Sequence, residues 1–240
     1  RVLAGFVGAA FGWRRMFALA AVMMLVTAIA VRLWLPTRRP STTLSYLQLM
    51  RSLIPIARSE PVIRDAALLG ALTFGSFSAF WTTLAFRLEA PPLHYGSRVA
   101  GLFGLLGIAG AATAPIAGYF ADKRSPRETV GFALYAIAIS WIVLAFAGHT
   151  LWGIAAGVVI LDAGVQAAQV SNQARVYSLD AKLYGRLNTI YMASYFAGGA
   201  LGSALASAAW DFFGWLGVCA VGIALIIAAI LRHRLAHPPA

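Results

Sequence analysis

Apolar stretches of close to twenty residues recur along this chain, separated by short polar or basic segments. About twenty helical residues cross the roughly 30 Å hydrocarbon core of a bilayer. The pattern therefore predicts membrane spans at 16–35, 66–86, 99–121, 129–147, 151–177, 187–209 and 216–231. Residues 1–12, thinned by Gly5, Gly8 and Gly12, read as the tail of one more span, cut from a longer chain. A polar connection at 36–65 interrupts the series. Within it, 44–56 is mildly amphipathic and predicts a helix lying on the membrane surface. Residues 233–240 form a polar tail.

The spans sort by character. Those at 66–86, 99–121 and 129–147 run polar-bearing, glycine-rich, plain, and those at 151–177, 187–209 and 216–231 repeat that order. Three crossings change sides, so successive triplets must be inverted, as in many secondary transporters. Plain helices can face lipid. Glycine-rich ones can pack closely, because van der Waals contact drives helix association in lipid. Gly101, Gly104, Gly107 and Gly110 thin span 99–121 on two sides, and Pro115 offers a kink. Gly198 and Gly202 form a GxxxG packing face. The predicted fold is all-α: a polytopic transmembrane bundle of two inverted three-helix repeats (66–232), preceded by one helix and part of another (1–35).

Composition agrees. With 60% hydrophobic and 11% charged residues and a mean hydropathy of +0.77, the chain lies outside the soluble globular range. A net charge of +11 could suit nucleic acid, but its placement argues against that partner. One set of connections holds Arg38, Arg39, Arg51, Arg58, Arg64, Lys123, Arg124, Arg127, Arg175, Lys182, Arg186, Arg232 and Arg234. The opposite set holds only Arg14, Arg15, Arg87 and Arg98. Such asymmetry marks the first set, with the 36–65 connection and the C-terminus, as cytoplasmic in a multi-pass cell-membrane protein. Trp13, Trp34, Trp152, Trp210 and Trp215 stand at span ends, where an interfacial belt is expected.

The candidate chemistry lies in span 151–177. Gln166, Gln169 and Gln173 follow Asp162 at offsets that place all four side chains within a sector of roughly 60°. Ionisable groups at membrane depth face a bundle interior or a wet cavity. A carboxyl there can take up and release a proton as its access to water changes, or bind a cationic group. Asp162 is thus expected to couple protons or hold a cation, with Gln166 and Gln169 as hydrogen-bonding substrate contacts. The competing reading is a polar clip between helices. Ser78, Trp81 and Thr82 in span 66–86, and Asn188, Tyr191 and Tyr195 in span 187–209, are further cavity candidates. Arg87, Glu89 and His94 read as a solvated rim, with an external gate as the alternative. A membrane enzyme would want clustered groups at one face, yet His94, His149, His233 and His237 are scattered. Cys219 stands alone in an apolar span and reads as a small core residue, so neither a metal nor a cofactor is expected. No stretch reads as a channel constriction.

Between spans 99–121 and 129–147 stands Gly118-Tyr-Phe-Ala-Asp122-Lys123-Arg124-Ser125-Pro126-Arg127. This resembles the cytoplasmic loop motif of the major facilitator superfamily. Gly12-Trp13-Arg14-Arg15-Met16-Phe17 and the stretch from Gly185-Arg186-Leu187-Asn188 to Tyr195-Phe196-Ala197-Gly198-Gly199 are similar to the same superfamily. The resemblance covers essentially the whole chain, and is nearest to bacterial drug and metabolite exporters. It implies that 1–35 holds the tail of helix five and helix six, and that 66–232 holds helices seven to twelve. The partners it implies are the bilayer, a small-molecule substrate, protons and an N-terminal half. It also implies proton-coupled efflux by alternating access, with Gly118, Asp122, Lys123, Arg124 and Arg127 latching the cytoplasmic side. Ser125 and Pro126 depart from the motif, and a charge run that merely fixes topology is the competing reading. A non-transporting sensor on the same fold is the alternative function, because fold alone does not fix function.

Overall fold

The computed structural model describes residues 2–36, 45–96, 98–107, 123 and 125–236. Its helices are α1 (Val2–Phe11), α2 (Trp13–Trp34), α3 (Tyr46–Ser59), α4 (Pro61–Glu89), α5 (Arg98–Gly107), α6 (Pro126–Ala147), α7 (Leu151–Tyr177) and α8 (Tyr184–Leu235). A short 3-10 turn, Ala181–Leu183, precedes α8. No strand occurs among the described residues. Five of the helical segments are long and apolar enough to cross a membrane: α2, α4, α6, α7 and α8 with its leading turn. Gly110, Pro115, Gly118, Asp122 and Arg124 lie outside the described residues, so only the first part of span 99–121 is seen, as α5.

Local chemistry sets the helix starts. Ser45 and Gln48 form a reciprocal capping box on α3. The Ser125 hydroxyl accepts from the Glu128 amide, with Pro126 in the first turn of α6, and Thr150 accepts from the Gly153 amide at the start of α7. A helix does form within the 36–65 connection, as α3. One of its faces meets the bundle through Ile56, while Leu47 and Ile54 stay exposed.

The pattern of spans predicts a loop between 209 and 216, and here the structure differs. Helix geometry continues through Trp210–Phe213 and breaks at one residue, Gly214 (φ 60°, ψ −148°). That backbone region is essentially closed to residues with a Cβ. The chain reverses there. Gly75 of α4 touches both Gly198 and Leu225, while Asp65, at the start of α4, pairs with Arg232 near the end of α8. The two arms of α8 therefore run antiparallel along α4, as two spans joined by a glycine corner.

α4 is the most enclosed element. A Cβ at Gly202 would overlap the Gly75 carbonyl, and one at Gly198 would overlap that of Ala71. The GxxxG face is thus a backbone-to-backbone crossing. Gly202→Ala is expected to cost about 1–3 kcal/mol by overpacking, read as a lower unfolding midpoint in detergent.

On the other side of α4, the buried Trp141 indole donates to Ser76 Oγ at 2.6 Å, and Ser76 Oγ donates to the Gly222 carbonyl at 3.4 Å. The Trp141 ring packs against Gly222, which leaves no room for a side chain. Span 129–147, plain in sequence, therefore supplies a central anchor of the core. Cys219 is buried among these residues, as a small core side chain should be.

Two expectations at the other end of α4 are corrected. Trp215 is buried, its indole donating to the Leu144 carbonyl at 2.9 Å and its ring against Phe80. It is a core residue, unlike Trp13, Trp34 and Trp152, which are exposed. Arg87 is not part of a solvated rim. It is buried, donating from Nε to the Gly148 carbonyl at 2.9 Å and from Nη1 to the Pro91 carbonyl at 3.2 Å. It pins the turns that follow α4 and α6, whereas Glu89 and His94 are exposed.

Candidate functional site

α7 runs antiparallel to α4, so that Asp162 near the middle of α7 faces Trp81 on α4. The Trp81 indole donates to Asp162 Oδ1 at 3.2 Å. The other carboxylate oxygen lies on the α5 side, where a Cβ at Gly107 would sit 3.3 Å from Oδ2. Only a glycine lets α5 approach the carboxylate this closely without crowding it. Asp162 is 6% exposed. The arrangement leaves the carboxylate at the wall of a cavity of about 290 Å³ lined by Gln166 and Gln169, one and two turns further along α7, with Val165, Gly104 and Gly107.

Aromatic rings form the rest of the wall. Phe74, Phe77 and Trp81 share one face of α4, at offsets that meet on a helix, and Tyr195 of α8 completes it. Phe74 stacks on Tyr195 with centroids 4.0 Å apart and on Phe77 at 5.6 Å, and Phe77 lies 6.0 Å from Trp81. Tyr195 Oη donates to Gln169 Oε1 at 3.1 Å, which fixes the amide orientation and ties the aromatic wall to the polar stripe. One carboxylate, two amides and a continuous aromatic face thus converge from three helices. Apolar walls with a few convergent polar groups are the usual make-up of a small-molecule pocket.

The Major Facilitator Superfamily pattern matches residues 1–180. A protein named as an uncharacterized transporter, YgaY, in Escherichia coli O157:H7 is 40% identical over 231 residues, covering 96% of this chain and 59% of the relative. The probable transporter SCO4007 of Streptomyces coelicolor is 35% identical over 228 residues, covering 95% of this chain and 53% of the relative.

The chain belongs to the major facilitator superfamily.

It spans 59% and 53% of the lengths of these two relatives. The antiparallel setting of α4 against α7 is what inverted repeats of this superfamily produce, because each heads one three-helix unit.

The remaining candidates of this facilitator chain are placed elsewhere. Gln173 lies beyond the cavity, its amide 3.9 Å from Met192 Sδ. Thr82 shares a 2.8 Å hydroxyl contact with Ser203, and Ser78 packs beside Gly199. Asn188 accepts from Tyr177 Oη at 2.9 Å. Tyr191 is fully buried against Gly70, so of the two α8 tyrosines only Tyr195 borders the cavity. In the loop motif, Arg127 donates from Nη2 to the carbonyls of His233 (3.0 Å) and Ala236, and Lys123 is exposed. Arginine is well suited to such unsatisfied carbonyls at a helix C-terminus.

Sequence reasoning did not single out Phe74, Phe77, Val165, Gly104 or Gly107 as lining residues. It also missed Asp65, which carries the ion pairs at one end of the bundle: Arg175 Nη2 at 2.7 Å from Oδ2, and Arg232 Nε at 3.2 Å from Oδ1. A signal existed. Asp65 opens one polar-bearing span, Arg175 closes the other, and inverted repeats bring those ends together.

Proposed function

We propose that this chain is the site-bearing part of a secondary transporter that exchanges protons for a small organic cation, exporting it across the cell membrane. The single observation that carries the reading is the buried Asp162 carboxylate beside the aromatic face of Phe74, Phe77, Trp81 and Tyr195. Cations are attracted both to a carboxylate in a low-dielectric wall and to the faces of aromatic rings. A body seated against this aromatic wall can bring its charged nitrogen to Asp162. Gln166 and Gln169 then select the polar groups around that nitrogen.

Proton exchange follows from competition for the same oxygens. The carboxylate holds either the cation or a proton, so loading one releases the other, and alternating access gives each exchange a side. By the distribution of basic residues, the end carrying Asp65, Arg127 and Arg175 is cytoplasmic, and the Arg87 end is outside. Gly118, Asp122, Lys123, Arg124 and Arg127 serve in this reading as the cytoplasmic latch between the two halves of the full transporter. Gln173, Ser78, Thr82, Asn188 and Tyr191 support the path from surrounding positions.

The test uses the full-length transporter in inside-out vesicles with an imposed proton gradient. A panel pairs aromatic amines and quaternary ammonium compounds with neutral and anionic compounds of similar size. The expected result is uptake of one or more of the cations with matching proton release, and none of the anions. Uptake of only neutral or anionic members would remove the basis for the reading.

A further inference from the structure

At the end of the bundle away from Arg87, a second cleft of about 260 Å³ opens between the first turn of α4 and the last turn of α8. Its charged lining is Asp65, Arg127, Arg175 and Arg232. Among the described residues bordering it, three guanidinium groups face one carboxylate. Each guanidinium carries five N–H donors and no acceptor. The acceptors they meet are few: Asp65 Oδ2 for Arg175, Asn172 Oδ1 for Arg175 at 3.1 Å, and the His233 and Ala236 carbonyls for Arg127.

Arg232 is the clearest surplus. Its Nε lies 3.2 Å from Asp65 Oδ1 but out of hydrogen-bond alignment, so both atoms stay buried without a hydrogen-bond partner. A buried N–H left without an acceptor is costly. The opening turn of α4 adds to the same side. The first amides of a helix have no intrahelical acceptor, and the helix dipole favours negative charge there. With Pro61 in that turn, Val62 borders the cleft. With three guanidinium groups against one carboxylate, an Nε that makes no hydrogen bond and a helix N-terminus, the cleft is positive on balance even with Asp65 Oδ1 beside it, which favours an anion with several acceptor oxygens.

We propose that this cleft binds a phosphate-type oxyanion. Tetrahedral oxygens can accept from Arg232 and Arg127 while Asp65 keeps Arg175, and arginine forks match phosphate geometry. α4, α7 and α8 all end here, so the cleft lies near headgroup depth in a bilayer. The phosphate can belong to an anionic lipid headgroup or be free in solution.

Reconstitution of the full-length transporter into phosphatidylcholine nanodiscs separates these sources. The unfolding midpoint is measured in phosphatidylcholine alone, with phosphatidylglycerol mixed in, and with inorganic phosphate replacing chloride at equal ionic strength. A rise with phosphatidylglycerol alone identifies the headgroup. A rise with inorganic phosphate as well identifies the phosphate group itself as sufficient. No rise in either arm overturns the proposal. Arg232→Gln is expected to weaken the effective anion roughly fivefold, the worth of one basic residue near an anionic surface, while Arg232→Lys keeps most of the effect. An unchanged titration in a folded Arg232→Gln protein also overturns it. If Arg232→Gln does not fold, the wild-type arms and Arg232→Lys decide.

Discussion

Replacing Asp162 with asparagine is expected to abolish proton-linked transport while leaving the yield and unfolding midpoint of the full-length protein close to wild type. Asparagine has nearly the shape of aspartate, and its oxygen can still accept from the Trp81 indole, which lies 3.2 Å from Oδ1 in the native chain. What it lacks is charge and a site for a proton. Removing one member of a desolvated charge pair costs about 2–5 kcal/mol, so cation binding should weaken at least about thirtyfold. Coupling suffers more than binding, because the substituted group no longer has two protonation states to exchange. Binding is read from the part of the tryptophan fluorescence change that Trp81→Phe removes, and coupling from proton release on adding substrate. A folded Asp162→Asn protein that still releases protons would make Asp162 a clip between α4 and α7, and would move coupling outside this chain.

How far this site was legible in sequence depends on what fixes each residue. The polar stripe was legible because a helical period and one buried carboxylate leave little freedom: Asp162, Gln166 and Gln169 line one cavity. Gln173 obeys the same period but lies a turn further along, where α8 approaches and Met192 meets its amide. Position along the axis decided that, and periodicity says nothing about it. Phe74 and Phe77 were illegible for a different reason. An aromatic residue in a span packs equally well against lipid, a neighbouring helix or a ligand, and only the crossing of α4 with α8 selects among them. That crossing also divides Tyr191 from Tyr195. The helices meet so closely at Gly70, Ala71 and Gly75 that Tyr191 is trapped in the contact, and one turn later Tyr195 emerges beside Phe74.

The fold was more legible than the site because bilayer thickness sets helix length directly. Span 151–177 coincides with α7, and span 66–86 is extended at both ends to Pro61–Glu89. The extension matters. Hydropathy ends a span where charges begin, but Asp65 and Arg87 are both buried, each hydrogen-bonded to a partner from another segment. The reversal between 209 and 216 was predicted at the right place with the wrong geometry, since a glycine with positive φ turns the chain in one residue.

Asp65→Asn is expected to be the most destabilising single change at the ends of this bundle. The Asp65 and Arg175 side chains are 6% and 12% exposed and meet at 2.7 Å. Desolvating two such charges offsets much of their attraction, so the intact pair is a weak net stabiliser. Breaking it is another matter. Arg175 cannot shed its proton and would keep only charge-neutral acceptors, Asn172 Oδ1 and the amide oxygen introduced at position 65, with no counter-charge where Oδ2 of the native carboxylate stood. Loss of one partner from a buried pair costs about 3–5 kcal/mol, and Arg232, more exposed and at the longer distance of 3.2 Å, adds less. The unfolding midpoint in detergent should fall sharply. The decisive variant is the double one, Asp65→Asn with Arg175→Gln. If uncompensated charge is the cause, removing it recovers part of the loss, and the two substitutions are strongly non-additive. If the double variant instead loses the sum of both single effects, the residues act independently. The contact joining α4 to α7 would then be one of packing, and the inverted repeats would be held at this end by their apolar contacts, such as Ile63 and Val176.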